Sequence, residues 1–243
     1  MLQSLATKVV AHNFLLKRIG SVVELTESER NLVIKTYALK CESRAKGTLL
    51  AEEGDSSRRS CFLVSGWALR QTFLADGRRQ IFGFILPGDP LEPFSCLGEV
   101  IPGGIVAVTS VDLVDTSRAI GAGDSSSAHD LDRFHFLVAR EHLRFTRNQL
   151  LRLSCHNAYQ RVAHFLLELH DRLAMVGMVT NGSFLFPLTQ EMIADALGLS
   201  VVHVSRTMKQ LREADLVQIK DGRLQLRHRR KLSALSEYAS VEN

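Results

Sequence analysis

The stretch of sequence that decides the fold runs from residue 188 to residue 209 and reads LTQEMIADALGLSVVHVSRTMK. Ile193 and Leu197 are four residues apart, a spacing that places both side chains on one face of a helix. Gly198 then supplies the backbone freedom that a tight turn needs, and Val204 and Met208 repeat the four-residue spacing. Two short helices joined by a glycine turn predict a helix-turn-helix.

Polar residues stand where each of these helices is expected to begin. Thr189 precedes the first helix and Ser200 precedes the second, and either hydroxyl can accept a hydrogen bond from a free backbone amide. Ala194 is small enough for the second helix to cross over it, and Leu199 can fill the space beneath the turn. A helical hairpin without any role on DNA is the alternative, but the small residue, the glycine and the apolar spacing together favour the DNA-binding motif.

The outward-facing side chains of the second helix are the candidate DNA-binding residues, because this helix of the motif enters the major groove. The guanidinium of Arg206 can donate two hydrogen bonds to O6 and N7 of a guanine. His203 and Ser205 can read a base edge or hold a phosphate, and Lys209 favours a phosphate contact. An uninvolved surface histidine is the alternative for His203. The full predicted set is Val201, Val202, His203, Ser205, Arg206 and Lys209, with Thr189 and Gln190 at the start of the first helix.

A β-hairpin is predicted directly after the second helix. Leu216 and Val217 enter a strand, Asp221-Gly222 forms a two-residue turn, and residues 224–226 return. Such a hairpin is a wing, which braces the motif against the DNA backbone. Positive charge lies nearby on Arg223, Arg227, Arg229, Arg230 and Lys231. The tail from Arg229 to Tyr238 predicts a short amphipathic helix with Leu232, Leu235 and Tyr238 on its apolar face.

A long helix is predicted from about residue 130 to residue 154, because this stretch contains neither glycine nor proline. Apolar side chains recur in it at the seven-residue spacing typical of paired helices. A second apolar stripe consists of Leu131, Phe134, Val138 and Phe145. A helix with two apolar sides must pack against a partner on each side, so the first stripe is expected to pack against the same helix of a second copy in a homodimer. Burial of the whole helix within one chain is the alternative. The predicted dimer interface consists of Phe136, Leu143, Leu150 and Leu153.

The first half of the chain has a different character. From residue 41 to residue 120, short apolar runs alternate with glycine, proline and Asp-Gly turns, and Asp76-Gly77 is a strong hairpin signal. Many short strands predict a β-roll or barrel. Residues 1–40 are expected to be helical, with Thr26 capping one helix. The expected strands are Cys61–Gly66, Trp67–Phe73, Gln80–Leu86 and Val106–Leu113.

These segments predict an α+β protein with three parts. Residues 1–128 form an N-terminal helix and a β-roll sensor domain, residues 129–156 a dimerisation helix, and residues 157–243 a winged helix-turn-helix domain. A loop is expected at residues 121–127, and a further helix from Ala158 to Met175 after a break at residues 155–157.

Composition bounds the function. The 243 residues are 45% hydrophobic and 23% charged, and the formal charge of +4 permits nucleic-acid binding without proving it. No apolar run reaches the roughly 18 residues of a membrane helix, and the N-terminus does not resemble a secretion signal, so no membrane partner and a cytoplasmic location are expected. The four cysteines, at positions 41, 61, 96 and 155, have no metal-ligand spacing and are expected to be buried or half-buried thiols.

From about residue 22 to residue 238 the chain resembles the Crp/Fnr family of bacterial regulators. The resemblance is carried by residues 188–209 with the wing, and by three segments that look like the family's β-roll signatures. These are GTLLAEEGD at 47–55, FLVSG at 62–66 and FILPGD at 84–89. The resemblance implies a cyclic-nucleotide-binding-type roll, a long dimer helix and a winged helix-turn-helix. It also implies RNA polymerase as a partner and a small-molecule or redox effector.

The chain departs from the family where cofactors bind. Members that bind cyclic AMP grip its phosphate with an Arg-Ser pair, but no arginine lies between Arg79 and Arg118, so the chain is not expected to bind cyclic AMP. Residues 1–40 lack the cysteines of the iron–sulfur sensors, and no histidine that could bind haem or a metal lies between His12 and His129. The effector stays open, with Cys96 as a candidate redox thiol. Val201 and Val202 stand where family members carry Arg or Val and then Glu.

The sequence therefore predicts a transcription regulator that binds a near-palindromic operator as a homodimer. The alternative is a cyclic-nucleotide-type signalling module without direct DNA binding. An enzyme is not expected, because the barrel strands contain no histidine and the sequence shows neither a nucleophile–base arrangement nor a phosphate-binding loop.

Overall fold

The structure is a computed structural model, which describes residues 16–18, 20, 24, 26–28, 30–31, 41–55, 61–92, 103–115 and 125–238, with the backbone alone for residues 125–135 and 138. The chain divides into two compact units. The first contains Met1–Thr72 and Gly83–Phe145, and the second contains Phe73–Phe82 and Thr146–Asn243. No helix in the described part is both long enough and apolar enough to cross a membrane.

The described residues of the N-terminal half of the chain contain seven strands in two sheets, which confirms the predicted β-rich domain. Sheet neighbours run β1-β7-β3 in one sheet and β2-β6-β4-β5 in the other. One hydrophobic cluster draws side chains from both sheets, including Leu63, Ala68, Ile105 and Leu113. The strands are β1 (Cys41–Arg44), β2 (Leu49–Ala51), β3 (Cys61–Ser65), β4 (Ala68–Phe73), β5 (Arg79–Ile85), β6 (Gly104–Ala107) and β7 (Val111–Asp115).

One strand prediction was wrong. The run Val106–Leu113 was expected to be a single strand, but it is divided between β6 and β7, which lie in different sheets. The backbone amides of Val108 and Thr109 both donate to the carbonyl of Trp67, at 2.8 and 3.2 Å. These bonds turn the chain between the sheets, so the alternating apolar pattern continues although the strand does not.

The predicted hairpin at Asp76-Gly77 is confirmed between β4 and β5. Gly77 has a φ of 82°, and Asp76 Oδ1 accepts a hydrogen bond from the amide of Arg78 at 3.0 Å. Most of the helical prediction for residues 1–40 lies outside the described residues, although Thr26 O accepts from Arg30 N at 3.0 Å in a helical turn. Cys96 also lies outside the described residues.

The long helix, α1 (Ser125–Cys155), begins inside the stretch that was expected to be a loop. Serine residues at 125–127 are compatible with a first helical turn as well as with a loop, and the sequence pattern alone did not separate the two. The predicted break is confirmed at residues 156–157, with Cys155 as the last residue of α1, and α2 (Ala158–Met175) has the predicted bounds. Asn157 and Gln160 form a reciprocal capping box, with hydrogen bonds of 3.0 and 3.1 Å.

The C-terminal unit continues with six short elements, β8 (Ser183–Leu185), α3 (Gln190–Leu197), α4 (Val201–Glu213), β9 (Val217–Lys220), β10 (Arg223–Leu226) and α5 (Arg229–Ser236). The three strands form one antiparallel sheet in the order β8-β10-β9. Strand β8 was not predicted, although the alternation of Phe184 and Phe186 around an exposed Leu185 was a signal for it.

The predicted apolar face of the last helix was partly wrong. Leu232 and Tyr238 are buried, but Leu235 is 43% exposed. Ser236 is buried in its place, and its hydroxyl donates to Leu232 O at 2.8 Å, which satisfies the hydroxyl inside the protein. The helix also ends at Ser236, because the next residue, Glu237, has a left-handed φ of 52°. Residues after Ser236 therefore do not follow the helical periodicity.

Candidate nucleic-acid interface

The two helices predicted from residues 188–209 are α3 and α4, and each has the predicted cap. Thr189 Oγ accepts a hydrogen bond from the amide of Met192 at 3.2 Å, and Ser200 Oγ accepts one from the amide of His203 at 3.2 Å. Gly198 takes a left-handed conformation with a φ of 61° between the helices. The caps and the glycine turn therefore confirm the helix-turn-helix geometry.

Helix α4 has one buried and one exposed face. Val204, Thr207, Met208 and Leu211 are buried. Their positions place Val202, Arg206 and Lys209 on the opposite side, and all three are exposed. The predicted burial of Val204 and Met208 is thus confirmed, and Thr207 joins them although a threonine gave no apolar signal. The exposed side is the face that can enter a major groove.

The charged side chains of this face differ in what they contact. Lys209 Nζ lies 3.6 Å from Glu213 Oε1, one helical turn further along, and both side chains are exposed. Arg206 is exposed, and none of the described residues pairs with its guanidinium. Arg206 is therefore outside any ion pair with the described residues, whereas Lys209 lies within ion-pair distance of Glu213.

The other members of the predicted set are also exposed. His203 Nδ1 lies 3.1 Å from Ser200 Oγ, so the capping hydroxyl orients the imidazole ring. Ser205 projects from the exposed side of α4. The start of α3 places Thr189 and Gln190 at the surface, with the Thr189 hydroxyl used in the cap. Val201 and Val202 are 42% and 64% exposed.

The predicted wing is present after α4. Asp221 and Gly222 have φ values of 50° and 70°, as a two-residue turn between β9 and β10 requires. Along β9, Gln218, Ile219 and Lys220 are exposed. The wing therefore offers a cationic side chain and backbone amides at its tip.

Some of the basic residues after α4 make contacts within the protein. The guanidinium of Arg223 donates to Ser183 O at 2.9 Å, and Arg227 pairs with Asp215 at 3.4 Å. Arg229 pairs with Asp171 at 2.9 Å. Burial works against ionisation of Asp171, but hydrogen bonds from His170 and Arg229 hold its pKa below the usual range. Arg230 and Lys231 remain exposed and are better placed to meet a phosphate.

Sequence reasoning missed the side chains that hold α3 in place. The guanidinium of Arg161 donates to three backbone carbonyls, those of His156 at 2.8 Å, Leu153 at 3.1 Å and Leu197 at 3.1 Å. Gln149 Nε2 donates to Ala196 O at 2.5 Å. The last two carbonyls of α3 are thus bound from α2 and from the end of α1. Both contacts join residues more than 30 positions apart, which no local spacing could reveal.

A buried ion pair lies beside these contacts. Arg152 Nη1 is 2.9 Å from Glu168 Oε2, and Asn148 Nδ2 donates to the same oxygen at 2.9 Å. Burial alone would raise the pKa of Glu168, but the charges of Arg152 and Arg172 lower it below its usual value. The lowered pKa favours the ionised form of the Glu168 carboxyl.

His164 completes this network. Burial, and next the charge of Arg152, lower the pKa of His164 to about 4. The ring is consequently neutral at neutral pH. Because a guanidinium can only donate, His164 Nδ1 accepts from Arg152 Nη1 at 3.2 Å. The ring also packs edge to face against Tyr238, with centroids 4.8 Å apart.

The residues predicted for the dimer interface occupy the C-terminal two thirds of α1. Phe136, Leu143 and Leu150 are 68%, 63% and 63% exposed. Leu153 is half-buried, and its Cδ2 lies 3.5 Å from the position that a Cβ on Gly198 would take. Leu153 therefore contacts the helix-turn-helix turn, while the other three side chains form an exposed apolar row.

Comparisons with known proteins agree with this geometry. Residues 160–235 match the Crp-like helix-turn-helix domain. The nitrogen fixation regulation protein FixK of Bradyrhizobium diazoefficiens is 30% identical over 198 residues, which are 79% of this chain and 80% of FixK. The transcriptional activatory protein AadR of Rhodopseudomonas palustris is 37% identical over 166 residues, 66% of either chain, so this chain spans just under two thirds of AadR.

A similar structure supports the same relationship. The structure of FixK2 from Bradyrhizobium japonicum has a TM-score of 0.67 and 29% identity, over 83% of this chain and 98% of FixK2. The CRP-family regulator TTHB099 from Thermus thermophilus, at 22% identity and a TM-score of 0.64, shares the fold. The β-roll, the long helix and the winged helix-turn-helix, together with the similarity to FixK, show that the chain belongs to the Crp/Fnr family of DNA-binding transcription regulators.

Proposed function

We propose that this protein binds a near-palindromic duplex operator as a homodimer and thereby regulates transcription, without catalytic activity of its own. The observation that carries the proposal is the exposed face of α4. There Arg206 stands without a protein partner among the described residues, on the helix that a helix-turn-helix inserts into the major groove.

Arg206 is assigned to base recognition. Its planar guanidinium fits O6 and N7 of a guanine with two hydrogen bonds. His203 and Ser205 lie beside it as further contacts to base edges or phosphates, and Lys209 is assigned to a phosphate. Thr189 and Gln190, in the first turn of α3, and the wing are assigned to contacts with the DNA backbone on either side of the recognition helix.

The dimer is assigned to the exposed row on α1. Phe136, Leu143 and Leu150 recur every seven residues, so the row extends about 21 Å along the helix. Three large apolar side chains exposed in a line favour a second copy of the same helix as their cover, since a seven-residue repeat fits a supercoiled pair. Leu153 is expected at the edge of that contact.

The N-terminal roll is assigned to sensing of a small-molecule or redox effector, and RNA polymerase is the expected protein partner. Arg70 on β4 is buried, donates to Leu91 O at 2.6 Å and pairs with Glu92 at 3.1 Å. Its charge is thus balanced within the protein. This supports the expectation that the roll does not grip a cyclic phosphate.

Selection of binding sites tests the proposal. The full-length protein is incubated with a pool of randomised duplexes, the bound fraction is sequenced, and the mass of the complex is measured by sedimentation. We expect an inverted repeat with half-site centres about 34 Å apart, bound by two copies. Enrichment of no duplex, or of a site without symmetry bound by one copy, would contradict the proposal.

A further inference from the structure

An apolar side chain is exposed at the start of α4. Val202 is 64% exposed and lies directly opposite the buried face formed by Val204, Thr207 and Met208. A valine can neither donate nor accept a hydrogen bond, so it cannot read the polar edge of a base. It can only contribute to recognition by contact with an apolar group.

The position of Val202 relative to Arg206 limits where that group lies. The two residues are four apart, so they are separated by about 6 Å along the helix axis and by about 40° around it. Val201 is rotated by about 140° from Arg206 and is less exposed, at 42%. Base pairs are spaced about 3.4 Å apart in duplex DNA. Val202 therefore reaches a base within about two steps of the base that Arg206 contacts.

The major groove displays one apolar group on its floor, the methyl group on C5 of a pyrimidine. Thymine carries this methyl group, and 5-methylcytosine carries the same group at the same place. A valine side chain facing the groove can bury such a methyl group, whereas it gains nothing from the bare C5–H of uracil or cytosine.

We propose that Val202 is a specificity-determining residue that reads a pyrimidine C5-methyl group within two base pairs of the guanine bound by Arg206. This inference rests on the proposed function. It makes binding sensitive to one methyl group in each half-site. It also implies that methylation of a cytosine at that step strengthens binding.

Removal or addition of single C5-methyl groups in the DNA tests the inference. In the operator obtained by selection, each thymine of one half-site is replaced in turn by deoxyuridine, and affinity is measured by fluorescence anisotropy with the full-length protein. We expect one thymine, within two steps of the guanine, whose replacement weakens binding about fourfold, as expected for loss of one buried methyl-sized group. At the same step, a 5-methylcytosine–guanine pair should bind about fourfold tighter than a cytosine–guanine pair.

Two matched variants assign the effect to the side chain. In Val202→Ala the affinities for thymine and for deoxyuridine should become equal at that step, while Val201→Ala should keep the fourfold difference. Insensitivity of every thymine, a difference that persists in Val202→Ala, or one that disappears only in Val201→Ala would overturn the inference and leave the operator and the proposed function intact. A protein that enriches no duplex would overturn both.

Discussion

The buried ion pair between Arg152 and Glu168 allows a quantitative test of what stabilises the C-terminal unit. The two side chains are 3% and 5% exposed, and their charged atoms are 2.9 Å apart. Glu168→Gln keeps the size of the side chain but leaves the Arg152 guanidinium buried without a counter-charge. Removal of one partner from such a pair lowers the free energy of unfolding by about 3–5 kcal/mol.

Hydrogen–deuterium exchange of peptides from α2 measures this loss, because amides of a core helix exchange only when the unit opens. A loss of this size corresponds to exchange that is faster by between about a hundredfold and a few thousandfold. Glu213→Gln is the matched control. It removes the same kind of carboxylate from the exposed pair with Lys209, and the expected loss is below about 1 kcal/mol.

A double variant separates the buried charge from the lost contact. In Arg152→Met with Glu168→Leu neither charge is buried, and replacement of both partners by apolar side chains is often close to neutral. We expect exchange in α2 to return most of the way to the parent rate. If Glu168→Gln exchanged as slowly as the parent, the pair would contribute no net stability and the reasoning would be refuted.

Four further outcomes are expected. Arg206→Ala should weaken operator binding by about 1–3 kcal/mol and relax the preference at one base pair in each half-site. Lys209→Ala should instead weaken binding to every sequence and reduce the salt dependence of binding. If Arg206→Ala lost the same affinity on all base-substituted operators, Arg206 would be a phosphate contact. Leu143→Glu with Leu150→Glu should sediment as a monomer, and an intact dimer would refute the assigned interface. Because the pKa of His164 is lowered to about 4 in the folded protein, the histidine of the unfolded chain binds a proton at higher pH than that of the folded chain. The free energy of unfolding, measured by urea titration, should therefore fall as pH decreases from about 6.5 to about 4. His164→Gln should reduce this dependence on pH. Titration calorimetry should detect no cyclic-AMP binding in the micromolar range, and tight binding would contradict the assignment of the roll.

The helix-turn-helix could be predicted from the sequence because each of its determinants acts locally. Thr189 and Ser200 accept hydrogen bonds from amides three residues away, and Gly198 takes its left-handed conformation within the turn itself. The wing follows the same rule, since Asp221-Gly222 determines its turn. Short-range interactions of this kind leave a pattern that can be read without knowledge of the rest of the fold.

The contacts that position the motif left no such pattern. Arg161 and Gln149 are polar residues on helices, and from sequence alone they look like any solvent-facing side chains. Glu168 would also be placed at the surface by composition, yet it is buried because Arg152 and Asn148 meet it from α1. Long-range pairing decides these positions. The same reason explains why the switch of the chain from β6 to β7 was missed.

The bonds at the end of α3 have a consequence for how new DNA specificities can arise. Arg161 and Gln149 bind the backbone carbonyls of Leu197 and Ala196, which are present whatever side chains the recognition helix carries. The bonds that hold the end of α3 are therefore independent of the exposed side chains between residues 201 and 209. Substitutions on that outward face can change the preferred base without a compensating change elsewhere, so the evolution or redesign of operator choice is separable from the evolution of the fold.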